Sequence, residues 1–192
     1  EEPFIEGIHY ETIVPAQPGG SDGTVEVSEM FWYGCPHCYS FEPKLKGWLA
    51  DKPEYVDFRR IPAIFTNPRW RLHAQAFYTA RVLDVFEEMH PAIFHAIHEE
   101  RNRLESQDAL ADFFADHGVS EEDFRSAFDS FAVQSGVSRS ADLTKRYGID
   151  GVPTMVVNGK YRVDGPMAGT YDKLIEIVSF LVEKEHAQAA GR

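Results

Sequence analysis

Residues 24–33 begin as an alternation and end as an unbroken apolar run. Val25 and Val27 are flanked by polar side chains, whereas Met30, Phe31, Trp32 and Tyr33 follow one another directly. This pattern predicts a strand that becomes buried on both faces, as a central strand is. Pro36 suits the first turn of a helix, where its missing N–H costs nothing. Leu45, Trp48 and Leu49 extend that helix, and Pro43 inside it is expected to kink it by deleting one backbone bond. Residues 55–61 predict a second strand, with Val56, Phe58 and Arg60 on one parity.

From residue 68 to 147 the period becomes helical. Phe86, Met89, Ile93, Phe94 and Ile97 fall on one stripe. Ser120 is a good N-cap for a helix carrying Phe124, Ala127, Phe128 and Phe131, and Gly118 and Gly148 are natural helix stops. Strand pattern returns at 154–157 and 161–163, joined by the turn dipeptide Asn158-Gly159, which predicts a hairpin. Thr170 caps a last helix with Leu174, Ile175, Val178, Leu181 and Val182 on its apolar face. Residues 8–14 could add an edge strand. The order is strand, helix, strand, helical block, hairpin, helix. With the block removed, what is left is a compact α/β unit, so the block is an insertion.

The 192 residues form one large domain, or one domain with an insertion, long enough to bury a real core. No apolar run approaches the roughly 18 residues that cross a bilayer. The chain opens Glu1-Glu2-Pro3 without an initiator methionine or signal segment, which fits a processed or trimmed start. A net charge of -12 repels phosphate backbones and argues against nucleic-acid binding.

The two cysteines both lie in Cys35-Pro36-His37-Cys38. The loop that such a pair closes is too short to staple a fold, and there is no second pair to complete a structural zinc site. Redox chemistry remains. The thiolate is the attacking species, so the question is what acidifies Cys35. A helix N-terminus offers free N–H groups and a favourable dipole. His37 can present a positive or hydrogen-bonding imidazole, and Pro36 fixes the turn. Cys38, in the first helical turn and facing inwards, is placed to resolve a mixed disulfide. Cys35 is the nucleophile.

Cys-Pro-His-Cys followed by Tyr39 and Phe41, with Gly151-Val152-Pro153 ahead of a strand, resembles the DsbA family of thiol–disulfide oxidoreductases. The likeness spans most of the chain. It implies a thioredoxin-like α/β fold with an inserted all-helical domain, here 1–66 and 148–192 around 67–147. It further implies a periplasmic oxidase that donates the Cys35–Cys38 disulfide to unfolded, exported proteins and is reoxidised by a DsbB-type membrane quinone reductase. The redox-active disulfide is then the only prosthetic element, with no metal or other cofactor. No separate dimerisation segment is visible, and a monomer is expected.

Further candidates follow. Glu29 shares strand parity with Val25, Val27 and Phe31, so a carboxyl points among apolar neighbours, which is costly unless it is paired or protonated. In the resembling family a buried acid relays the proton of the inner cysteine. Arg60 stands where those sequences often carry lysine; arginine does not deprotonate, so it is expected to hold Glu29 ionised more firmly. An ordinary structural ion pair would use the same two residues. Glu42, one helical turn beyond Cys38, matches another acidic family position. The resemblance also implies a cis bond before Pro153, its ring against the disulfide, and a Val152 backbone open to pairing with an extended substrate. His90, His95 and His98 read as helix-surface residues. A reductase or isomerase is the nearest alternative, opposed by the Pro-His dipeptide. A chaperone-like peptide-binding module with a vestigial disulfide is the alternative of another class.

Overall fold

The computed structural model describes residues 1–191. They divide into two compact units: Glu1–Phe31, Ser40–Ile61 and the chain from Lys145 onward form one, Trp32–Tyr39 and Pro62–Thr144 the other.

The first unit is built on a five-stranded sheet in the order β1-β5-β4-β2-β3. Its strands are β1 (Glu11–Thr12), β2 (Val25–Phe31), β3 (Val56–Pro62), β4 (Thr154–Val157) and β5 (Tyr161–Asp164). β4 pairs antiparallel with both β2 and β5, and Glu29 lies opposite Met155. The hairpin forms as its turn chemistry dictates: Asn158 and Gly159 take φ of 56° and 66°, and the Lys160 N–H donates to Val157 O at 3.0 Å. A side chain at Gly159 would meet the Gln17 carbonyl at 2.4 Å, so only glycine fits. The edge strand is far shorter than 8–14, because the chain around Gly7 turns at φ 82° and only Glu11 and Thr12 pair with β5.

Helix α1 (Pro36–Asp51) and helix α8 (Tyr171–Ala190) cover one face of this sheet. Phe41, Leu45 and Trp48 from α1 meet Leu174, Ile177, Val178, Leu181 and Val182 from α8 over Val25, Val27, Met155 and Val157. Each such aliphatic side chain contributes about 1.5–3 kcal/mol by leaving water. Thr170 caps α8, its hydroxyl accepting the Lys173 N–H at 3.0 Å. α1 is assigned as one helix through Pro43, which leaves the Tyr39 carbonyl without its usual donor. A short helix α7 (Gly165–Ala168) precedes α8.

The second unit is helical: α2 (Pro68–Val82), α3 (Phe86–His98), α4 (Gln107–Asp116), α5 (Glu121–Phe128) and α6 (Phe131–Arg146). Asn67, Ser106 and Ser120 cap α2, α4 and α5 through side-chain oxygens. Gly118 sits at φ 87° just past α4, as a helix stop does. Phe131 departs from its expected place on the α5 stripe. The chain breaks helix at Asp129 and Ser130, so Phe131 begins α6 and is 83% exposed.

Candidate active site

β2 ends at Phe31, two residues before its expected limit, because the chain turns there. The Cys35 N–H donates to Trp32 O at 3.1 Å, closing a turn over Tyr33 and Gly34. The Tyr39 N–H donates to Cys35 O at 3.2 Å, which makes Cys35 the N-cap of α1. An N-cap side chain receives N–H groups from the first helical turn, and sulfur takes that role here.

The Cys35 thiol is lowered from 9.0 to about 6. The first cause is a hydrogen bond from the Cys38 thiol, opposed by burial. The backbone N–H groups of Cys38 and His37 come next, and the charge of the His37 imidazole contributes least. Sequence reasoning gave weight to His37, whose charge does lower the thiol, though from an exposed side chain and least of the causes. It gave Cys38 too little: the inner thiol stabilises the outer thiolate directly. Cys38 is fully buried, whereas Cys35 is 9% exposed, so an incoming sulfur has access to Cys35 first.

The histidine reading needs a correction. His90 is buried, and its Nδ1 lies 2.7 Å from the Tyr33 hydroxyl. His98 donates from Nε2 to Tyr33 O at 2.7 Å and stacks on Tyr39. Only His95 sits on the surface as expected, beside Glu100. Tyr33 is 57 residues from His90 in sequence, and no helical periodicity carries that contact. Among the described residues, no cluster of three or more His, Cys, Asp or Glu is placed to hold a metal.

In the sheet unit, the Glu29 carboxyl is fully buried, with neither oxygen hydrogen-bonded among the described residues. Arg60 Nε stands 3.6 Å from its Oε1, while Arg60 Nη2 donates to Glu42 Oε2 at 3.3 Å. Arg60 therefore serves Glu42 better than Glu29. Burial, followed by the charge of Glu42, pushes Glu29 well above the usual carboxylate range, and Arg60 opposes this without prevailing. The direction is opposite to the one expected from Arg60: desolvation and Glu42 raise the carboxyl further than the guanidinium lowers it. In the same unit the Val152–Pro153 bond is cis, and the Thr154 hydroxyl donates to Gly151 O at 2.7 Å across it.

A buried dithiol whose outer sulfur caps a helix is the machinery of a thiol–disulfide oxidoreductase. A model of the DSBA-like thioredoxin domain matches residues 26–170. The chain is 44% identical over 188 residues to the thiol:disulfide interchange protein DsbA of Pseudomonas syringae pv. tomato, covering 98% of this chain and 87% of that protein. It is 41% identical over 186 residues to the protein of the same name in Pseudomonas aeruginosa, with 97% and 88% covered. The crystal structure of Pseudomonas aeruginosa DsbA superimposes with a TM-score of 0.91 at 41% identity, covering 97% of each chain. That of the oxidoreductase DsbA from Xylella fastidiosa gives 0.88 at 33% identity, covering 96% of this chain and 98% of that one. The chain belongs to the DSBA-like thioredoxin domain family. It has the thioredoxin-like fold and is a protein dithiol–disulfide oxidoreductase.

Proposed function

We propose that the protein donates a Cys35–Cys38 disulfide to reduced, exported proteins as they fold in the periplasm. The observation that carries this is the lowering of Cys35 to about 6 at the N-cap of α1. A stabilised thiolate is a good leaving group, so the disulfide containing it gives up its oxidising equivalents readily.

A substrate thiolate attacks Cys35 Sγ. A mixed disulfide forms, and the Cys35–Cys38 bond breaks with Cys38 leaving as a thiolate. Glu29 supplies the proton that neutralises Cys38, with Arg60 and Glu42 setting its charge balance. A second substrate thiolate attacks the substrate sulfur of the mixed disulfide and expels Cys35 as its stabilised thiolate. Two electrons have passed from the substrate dithiol to the cysteine pair. Reoxidation is by a DsbB-type membrane quinone reductase, whose disulfide Cys35 attacks. His37 and Pro36 shape the Cys35 turn. The Val152 backbone, set by Pro153, pairs with extended substrate. The chain acts as a monomer, with 1–66 and 148–192 as the thioredoxin-like domain and 67–147 as the helical insertion. No helix among the described residues is long and apolar enough to cross a membrane.

The test compares two rates at neutral pH, oxidation of a reduced unfolded secretory protein and reduction of insulin. The expected result is that oxidation by the disulfide form is the faster. Rapid insulin reduction with no transfer to the unfolded protein would mark a reductase, and neither activity would mark a binding module.

A further inference from the structure

Three residues before the nucleophile, the Trp32 indole is tethered. Its Nε1–H donates to His73 Nδ1 at 2.9 Å. An indole N–H is a donor only, so that histidine nitrogen must accept, and the ring proton resides on the other. His73 Nε2 accordingly donates to Leu104 O at 3.0 Å. The ring is 2% exposed, and its burial pushes it towards this neutral form. Trp70 stacks on the indole with centroids 4.3 Å apart, and the Arg69 guanidinium lies over it at 5.5 Å. The indole also lies so close to Gly34 that an added Cβ would come within 2.3 Å of it. The same tryptophan accepts the Cys35 N–H through its backbone oxygen.

We propose that His73 is a positioning residue for thiol–disulfide exchange. By accepting the Trp32 N–H and anchoring it to the Leu104 backbone, it fixes the turn that sets Cys35 at the N-cap of α1. The proposal rests on the reading of Cys35 as the exchanging thiol. The turn determines whether the Cys35 sulfur meets the N–H groups and thiol that stabilise it, so loosening the tether is read at Cys35 itself.

Titration of the reduced full chain by thiolate absorbance near 240 nm tests this in three variants. His73→Leu keeps the bulk and removes the acceptor, and Trp32→Phe removes the donor. Each should raise the Cys35 inflection by about one pH unit, a tenfold loss of thiolate below it. His73→Asn restores an acceptor oxygen near the Nδ1 position, and should hold the inflection close to the parent value. It should also retain the near-ultraviolet circular dichroism of the stacked Trp32–Trp70 pair, which His73→Leu loses. An unmoved inflection in folded His73→Leu overturns the proposal, as does an equal shift in His73→Asn. If His73→Leu does not fold, Trp32→Phe decides in the same two directions. A parent chain whose Cys35 titrates near 8.5 would instead overturn the reading of the site.

Discussion

Cys35→Ser should reduce disulfide transfer to background, and Cys38→Ser should accumulate covalent adducts with substrate through Cys35. The asymmetry follows from burial and bonding. Cys35 is the more accessible sulfur, and its thiolate is stabilised by the Cys38 thiol and by the N–H groups of the first helical turn. A serine at 35 leaves no sulfur for an incoming thiolate to attack. A serine at 38 leaves Cys35 reactive but removes the sulfur that returns the mixed disulfide to starting materials. Mass spectrometry of the adducts, with and without reductant, identifies the sulfur involved. Adducts through Cys38 in the Cys35→Ser protein would reverse the roles.

Glu29→Gln should stabilise the protein at about pH 8, seen as a higher melting temperature than the parent's. Glu29 is a buried acid held well above the usual range by desolvation and by Glu42. The folded state therefore binds the proton more tightly than the unfolded state. The resulting sign is unambiguous: stability is greatest below the unfolded value, about 4.3, and falls as pH rises towards the folded value. Glutamine has no charge to desolvate, so the variant should lose that decline and the gap should widen with pH. The Arg60–Glu42 contact at 3.3 Å remains to compensate the guanidinium. Under the proposed role of Glu29 as a proton donor, transfer activity should nevertheless fall, since glutamine carries no ionisable proton. Parallel melting curves for the two proteins between about pH 5 and 8 would show that Glu29 titrates as an ordinary carboxylate.

Local chemistry made much of this molecule legible from its sequence. Ser120 and Thr170 cap helices through their own hydroxyls, and Asn158-Gly159 supplies two positive φ values in succession. These effects act within a few residues, where a sequence can be read directly. Cys-Pro-His-Cys was likewise visible as redox chemistry at a helix start. What escaped depended on distance along the chain or on competition between effects. Phe131 had the right spacing for α5, but the helix ended before reaching it. His90 and His73 gained their meaning from Tyr33 and Trp32, which folding brings to them from far away in sequence. Arg60 looked like the partner of Glu29, yet geometry gave its hydrogen bond to Glu42 and left desolvation to raise the Glu29 carboxyl. The Cys38 hydrogen bond to Cys35 had no sequence signal beyond the motif itself.

The central claim is that the fold itself acidifies Cys35, and one titration tests it most directly. The rate of alkylation of Cys35 in the reduced protein should rise with pH through an inflection near 6. Cys38→Ala, which removes the hydrogen bond from the inner thiol, should move that inflection up by more than His37→Ser does. An inflection near the ordinary thiol value of about 8.5 in the parent protein would contradict the account, because nothing would then make the Cys35–Cys38 disulfide a ready donor.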